Sequence, residues 1–192
     1  MDRTAKKHTV TIRETDKQEI KKEIISWIKT IVAAVILALC VTQFVIVNAK
    51  VPTGSMMDNI MPDDRIVAFR LSYLLDNPER FDIVVFRAPD DRSVLYVKRV
   101  IGLPGETVDI RGGKVYIDDA DVPLDDSFVR EPPLERDEGP FYVPEDHYFM
   151  MGDNRNTSLD ARYWVNKYVP KKDLLGKVLF RYFPDIKNLM DM

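Results

Sequence analysis

A serine or threonine nucleophile needs a base, and this sequence offers few. Its two histidines are His8, in a charged N-terminal stretch, and His147, which opens the run His147-Tyr148-Phe149-Met150-Met151 and reads as a surface residue at a strand edge. One usable histidine, a single cysteine and scattered acids make no metal-ligand cluster, so neither a serine–histidine–aspartate triad nor metal-assisted hydrolysis is favoured and no cofactor is expected. Lys98 is the remaining candidate. In Val94-Leu95-Tyr96-Val97-Lys98-Arg99-Val100-Ile101 strand alternation puts Lys98 on one face with Val94, Tyr96 and Val100, and Arg99 on the other. Burial on an apolar face lowers a lysine pKa toward values at which the amine accepts a hydroxyl proton; a lysine at the sheet margin, with its stem packed and its amine in water, fits the same periodicity.

Ser55 is the matching nucleophile, in Val51-Pro52-Thr53-Gly54-Ser55-Met56. Gly54 permits close backbone approach, and the Thr53 hydroxyl is placed to assist an oxyanion, although Thr-Gly-Ser alone is also an ordinary turn. A third feature is the polar loop Gly152-Asp153-Asn154-Arg155-Asn156-Thr157-Ser158-Leu159-Asp160-Ala161-Arg162. Its spacing favours a loop fixed by its own hydrogen bonds, with Asp160 and Arg162 as a structural salt bridge; the functional alternative is that Ser158 orients Lys98.

These residues sit in a domain that reads as β-rich. Short β-branched and aromatic runs fall at 65–70, 82–87, 93–101, 107–111, 114–117, 147–151 and 177–183, with short helices at 73–79 and 171–175. Gly112-Gly113 marks a hairpin, while 125–144, with Pro132, Pro133 and Pro140, reads as a long surface connection.

Upstream lies an apolar segment of 17 uncharged residues, 31–47, which Ile24, Ile25, Trp27 and Ile28 extend past Lys29. About 20 helical residues span a hydrocarbon core, so 24–47 is expected to be a transmembrane anchor in contact with the lipid bilayer. A buried core helix and a cleaved signal peptide ending at Val47-Asn48-Ala49 compete with that reading; the run is longer, and its charged leader longer, than a cleaved signal usually has. Eight bases precede the run and only Lys50 and Arg65 occur in the twenty residues after it, which keeps the tail 1–23 cytoplasmic and places 48–192 outside a single-pass cell membrane anchor. The overall charge of −3 excludes the basic footprint of a nucleic-acid partner. Cys40 lies within the apolar run and can form no internal disulfide.

In order, spacing and position behind the anchor, four stretches resemble the conserved boxes of bacterial type I signal peptidases. Ser55-Met56 resembles the nucleophile box, Phe81-Asp82-Ile83-Val84-Val85-Phe86 the strand that follows, Tyr96 to Gly105 the lysine box, and Gly152-Asp153-Asn154-Arg155 with Ser158, Asp160 and Arg162 the closing box. The resemblance implies a mainly β fold with one N-terminal transmembrane helix, and a serine–lysine dyad that removes signal peptides from exported preproteins. It implies Ser55 as nucleophile, Lys98 as base, Ser158 hydrogen-bonded to that lysine, Thr53 beside the Ser55 N–H in an oxyanion hole, and a loop held by Asp153, Asn154, Arg155, Asp160 and Arg162. Substrate would lie against Val51, Pro52, Met56, Tyr96 and Val97, with Val51 and Val97 shaping small pockets; contact with the export machinery is a further expected partner interaction. The sequence departs from the family where Asp58-Asn59-Ile60 replaces the usual proline-threonine-leucine, a change expected to loosen the loop, and where Ala161 replaces a serine. A tethered β domain that binds an export partner without cleaving is the alternative; a self-cleaving repressor-type peptidase would carry a DNA-binding domain where this chain has its anchor.

Overall fold

The computed structural model describes residues 14–190 and divides into an N-terminal unit, Met1–Val41, and a β unit, Thr42–Met192. Helix α1 runs from Glu14 to Cys40 and continues as a wider π-helical turn over Val41–Val45. It starts ten residues before the expected anchor: Glu14–Glu23, assigned to the tail, is helical, and the remaining tail with His8 lies outside the described residues. Every described side chain from Lys17 to Phe44 is exposed. By length and composition, the stretch Lys17–Val45 is apolar enough to cross a membrane.

The β unit contains β1 (Ile46–Lys50), β2 (Arg65–Phe69), α2 (Ser72–Leu75), β3 (Ile83–Arg87), β4 (Leu95–Gly102), β5 (Thr107–Arg111), β6 (Lys114–Ile117), β7 (Glu138–Tyr142), β8 (His147–Met151), β9 (Tyr168–Pro170), β10 (Leu174–Phe183) and β11 (Lys187–Asn188). The large antiparallel sheet has the order β1-β2-β10-β3-β4-β8-β9, with β11 on β10; a small sheet has the order β6-β5-β7. All seven expected strands are present, and Gly112 and Gly113 take φ of 56° and 78°, the left-handed values that a two-residue hairpin requires. The second expected helix is a single 3-10 turn, Lys171–Asp173.

β3 shows why the domain has two cores. Its pleat sends Val84 and Phe86 to one face and Ile83 and Val85 to the other, and all four are buried. The first face packs with Val100, Phe149 and Trp164 beneath Val108, Ile110 and Val115 of the small sheet. The second packs with Val47, Met56, Ile60, Ile66 and Val178.

The connection 125–144 is more ordered than its composition suggests. It contains β7, and Phe128 docks its ring 4.0 Å from the Arg99 guanidinium and 5.4 Å from the ring of Phe81.

Candidate active site

Lys98 emerges from β4 opposite Val84 of β3 and is 3% exposed. Its Nζ lies 2.5 Å from Ser55 Oγ and 5.5 Å from the centre of the Tyr96 ring. Burial among these groups lowers the lysine pKa to about 8; Asp160 and Asp153 oppose the shift without cancelling it. Of the two arrangements the alternation allows, the desolvated amine is the one formed.

The closing-box loop holds the serine segment from behind. The Asn154 N–H donates to the Ser55 carbonyl at 3.1 Å, and its side-chain amide donates to the Gly54 carbonyl at 3.2 Å. Asp153 takes two hydrogen bonds from Arg99, at 2.8 and 2.7 Å, in an ion pair with essentially no solvent exposure. Arg99 and Lys98 are sequence neighbours on opposite faces of β4, so this pair fixes the strand that presents the lysine. Asp160 is fully buried, bonded bidentately by Arg162 at 2.8 and 2.9 Å and by the Gly152 N–H at 3.0 Å. Arg155 pairs with Asp126 at 2.8 Å, tying the loop to the 125–144 connection.

Three expectations about site residues differ from the geometry. Ser158, expected to hydrogen-bond Lys98, is buried, but its Oγ has no hydrogen-bond partner among the described residues, so no bond to Lys98 is formed. Met56, expected on the substrate surface, is completely buried and packs with Ile60, Ile66 and Val85: its turn points it inward beneath Ser55 rather than toward the groove. The Asp58-Asn59 departure does not leave a loosened loop. Asp58 adopts φ of 73°, which proline cannot reach, and Asn59 is buried, donating to Asp153 at 2.7 Å and to the Phe128 carbonyl at 3.0 Å. Asn59 is the site residue that sequence reasoning missed, because its partners lie 69 and 94 residues away.

A groove of about 540 Å3 runs past the pair. Val51, Pro52, Thr53, Tyr96 and Val97 line it, together with Asn48–Lys50 from β1 and Leu159 from the closing loop. β1 ends the large sheet, and β8 pairs with β4 only from Arg99 onward, so both β1 and the Leu95–Lys98 stretch leave backbone groups unpaired along the groove. Thr53 Oγ1 lies 3.4 Å from Ser55 Oγ, and among the described residues the Ser55 N–H enters no backbone hydrogen bond.

The sequence profile of the family described as "Signal peptidase, peptidase S26" matches residues 24–183. The chain belongs to this family. A signal peptidase I from Leptolyngbya laminosa is 37% identical over 164 residues, 82% of this chain and 78% of its own. Signal peptidase I S from Bacillus subtilis (strain 168) is 35% identical over 175 residues, 85% of this chain and 91% of its own. A crystal structure of a signal peptidase I from Enterococcus faecalis V583 is 31% identical, covering 53% of this chain and 97% of its own with a TM-score of 0.43. Family membership carries the general activity with it: this is a peptidase that removes signal peptides, with a mainly β domain behind one N-terminal apolar helix.

Proposed function

We propose that Ser55 and Lys98 form the catalytic dyad of a membrane-anchored signal peptidase, and the observation that carries this is the 2.5 Å approach of a buried, pKa-lowered amine to the serine oxygen. With a pKa of about 8, roughly a tenth of the lysine is neutral at pH 7, against far less than a hundredth for a solvated lysine. The neutral amine takes the Ser55 hydroxyl proton as Oγ bonds to the scissile carbonyl carbon. The resulting oxyanion is met by the Ser55 N–H and the Thr53 hydroxyl. Collapse breaks the C–N bond while the Lys98 ammonium returns its proton to the leaving amine. A water molecule, deprotonated by Lys98, then hydrolyses the serine ester and releases the signal peptide with its new carboxylate.

The unpaired edges of β1 and β4 are suited to an extended substrate segment, whose backbone would complete both ladders and whose small side chains would meet Val51, Pro52, Tyr96 and Val97. In this reading Ser158 approaches the lysine once substrate excludes water, and Asp153, Asn154, Arg155, Asp160 and Arg162 hold the loop. Residues 24–45 anchor the chain, Ile46 and Val47 of the expected span belonging instead to β1, with 1–23 cytoplasmic and 46–192 outside, where preproteins emerge and where the export machinery is within reach.

The deciding experiment is cleavage of a preprotein bearing an Ala-x-Ala site by the detergent-solubilised full chain, with the cut located by mass analysis. Ser55→Ala and Lys98→Ala each abolish cleavage if the dyad is right. Near-normal activity of either variant would remove it.

A further inference from the structure

A second concavity, of about 850 Å3, is walled by α2, β9 and the start of β10 and shares no residue with the Ser55 groove. Four bases line it, Arg70, Arg92, Lys171 and Lys172, against two acids, Asp146 and Asp173. Asp173 is buried and already paired with Arg92. Lys171 Nζ donates to the neutral side-chain carbonyl of Asn77 at 2.6 Å, and Lys172 is exposed. Arg70 Nε is buried and has no hydrogen-bond partner among the described residues. A guanidinium nitrogen removed from water without an acceptor is destabilising, and an oxyanion such as phosphate, two of whose oxygens can face the guanidinium's donor fork, is an acceptor that suits it.

The position of Arg70 identifies the source of that oxyanion. Its backbone N–H donates to the Val45 carbonyl at 2.8 Å, and Val45 is the last residue of the apolar helical stretch Lys17–Val45. Arg70 therefore stays within one hydrogen bond of the point where the chain leaves the apolar segment. Beside it on α2, Leu74 is 76% exposed, an apolar side chain at the mouth of a basic cavity. Basic side chains next to an apolar contact, at the end of a membrane span, match the interface of a bilayer containing anionic lipid.

The geometry points to a binding site for the phosphate of an anionic phospholipid headgroup, with the half-buried Arg70 as its anchor, Lys171 and Lys172 as outer contacts and Leu74 against the start of the acyl chains. The inference rests on the membrane-anchored reading above. It places one lipid headgroup against α2, away from the catalytic groove.

Native mass spectrometry of the detergent-solubilised full chain, with equal additions of phosphatidylglycerol and phosphatidylcholine, tests it. The wild-type chain should retain phosphatidylglycerol preferentially. The preference should fall by about fivefold for each basic side chain removed, in Arg70→Gln and, should that variant fold poorly, in the double surface variant Lys171→Gln with Lys172→Gln; preprotein cleavage in detergent reports that each is folded. Equal retention of both lipids by the wild-type chain, or a preference unchanged in folded variants, overturns the site. Displacement of the bound lipid by millimolar inorganic phosphate would assign the cavity to free phosphate and overturn the lipid source. Carbonate extraction of membranes separately reports whether the chain is anchored, so loss of the anchor and loss of the headgroup site give different results.

Discussion

A Cβ placed on Gly152 would lie 2.4 Å from the Ser55 carbonyl oxygen and 2.2 Å from Ser158 Oγ. The serine side chain can rotate away, but the Ser55 oxygen belongs to the backbone and is held by Asn154. Gly152→Ala must therefore move the nucleophile's main chain. An ångström-scale displacement costs about a hundredfold, so kcat/KM for preprotein cleavage should fall by at least that factor while thermal stability changes much less. Unchanged kcat/KM would show that the serine segment is not fixed by this contact.

The turn after the nucleophile gives a second expectation. Asn59→Ala leaves a buried oxygen of Asp153 with one donor fewer and the Phe128 carbonyl without its side-chain donor, so unfolding should become easier by about 1–3 kcal/mol in denaturant titration. Asp58→Pro, which restores the family's usual residue, should also destabilise, because φ of 73° is closed to proline. A stabilised Asp58→Pro variant would mean that the turn has a different backbone conformation.

His147 is removed from the groove, with Nδ1 2.7 Å from the Glu145 carbonyl and its ring at the α2-side cavity. His147→Ala should leave cleavage within a few-fold of wild type. A hundredfold loss, about 2.7 kcal/mol of barrier, would bring a histidine base back into consideration.

Orientation across the membrane is testable on intact cells. Arg130 and Arg136 are exposed in the connection before β7, so externally added trypsin should cut there and spare the N-terminal tail. Cleavage confined to the tail would contradict both the topology and the proposed encounter with emerging preproteins.

Much of this was readable from residue order, for reasons that differ by element. Alternation in Tyr96-Val97-Lys98-Arg99-Val100 placed Lys98 and Arg99 on opposite faces, as the structure has them, because a pleat has a fixed period. β1 was hidden, since Ile46 and Val47 continue the apolar run of the helix and periodicity shows no break there. β7 was hidden by Gly139 and Pro140, which ordinarily punctuate strands. The Arg99–Asp153–Asn59 network and the inward turn of Met56 depend on contacts between distant segments, which a local pattern does not encode. Whether Ser158 Oγ meets Lys98 depends on side-chain geometry that residue order does not carry, and in the structure it has no partner among the described residues.

Catalysis by the proposed dyad turns on the protonation of one amine. Lys98 has its pKa lowered from 10.5 to about 8 by burial. Between those values the unfolded chain binds the proton and the folded chain does not, so this group's contribution to stability improves as pH rises from about 8 to 10.5 and is least favourable below about 8. The same proton governs catalysis, since only the neutral amine can deprotonate Ser55. The most direct measurement is an NMR titration of the 15N-labelled Lys98 side chain in the detergent-solubilised Ser55→Ala protein, which prevents turnover and, although it removes the serine hydroxyl, retains the burial that lowers the pKa. A midpoint near 8 is the predicted result; a midpoint near 10.5 in the folded protein would contradict Lys98 as a base poised before substrate binds.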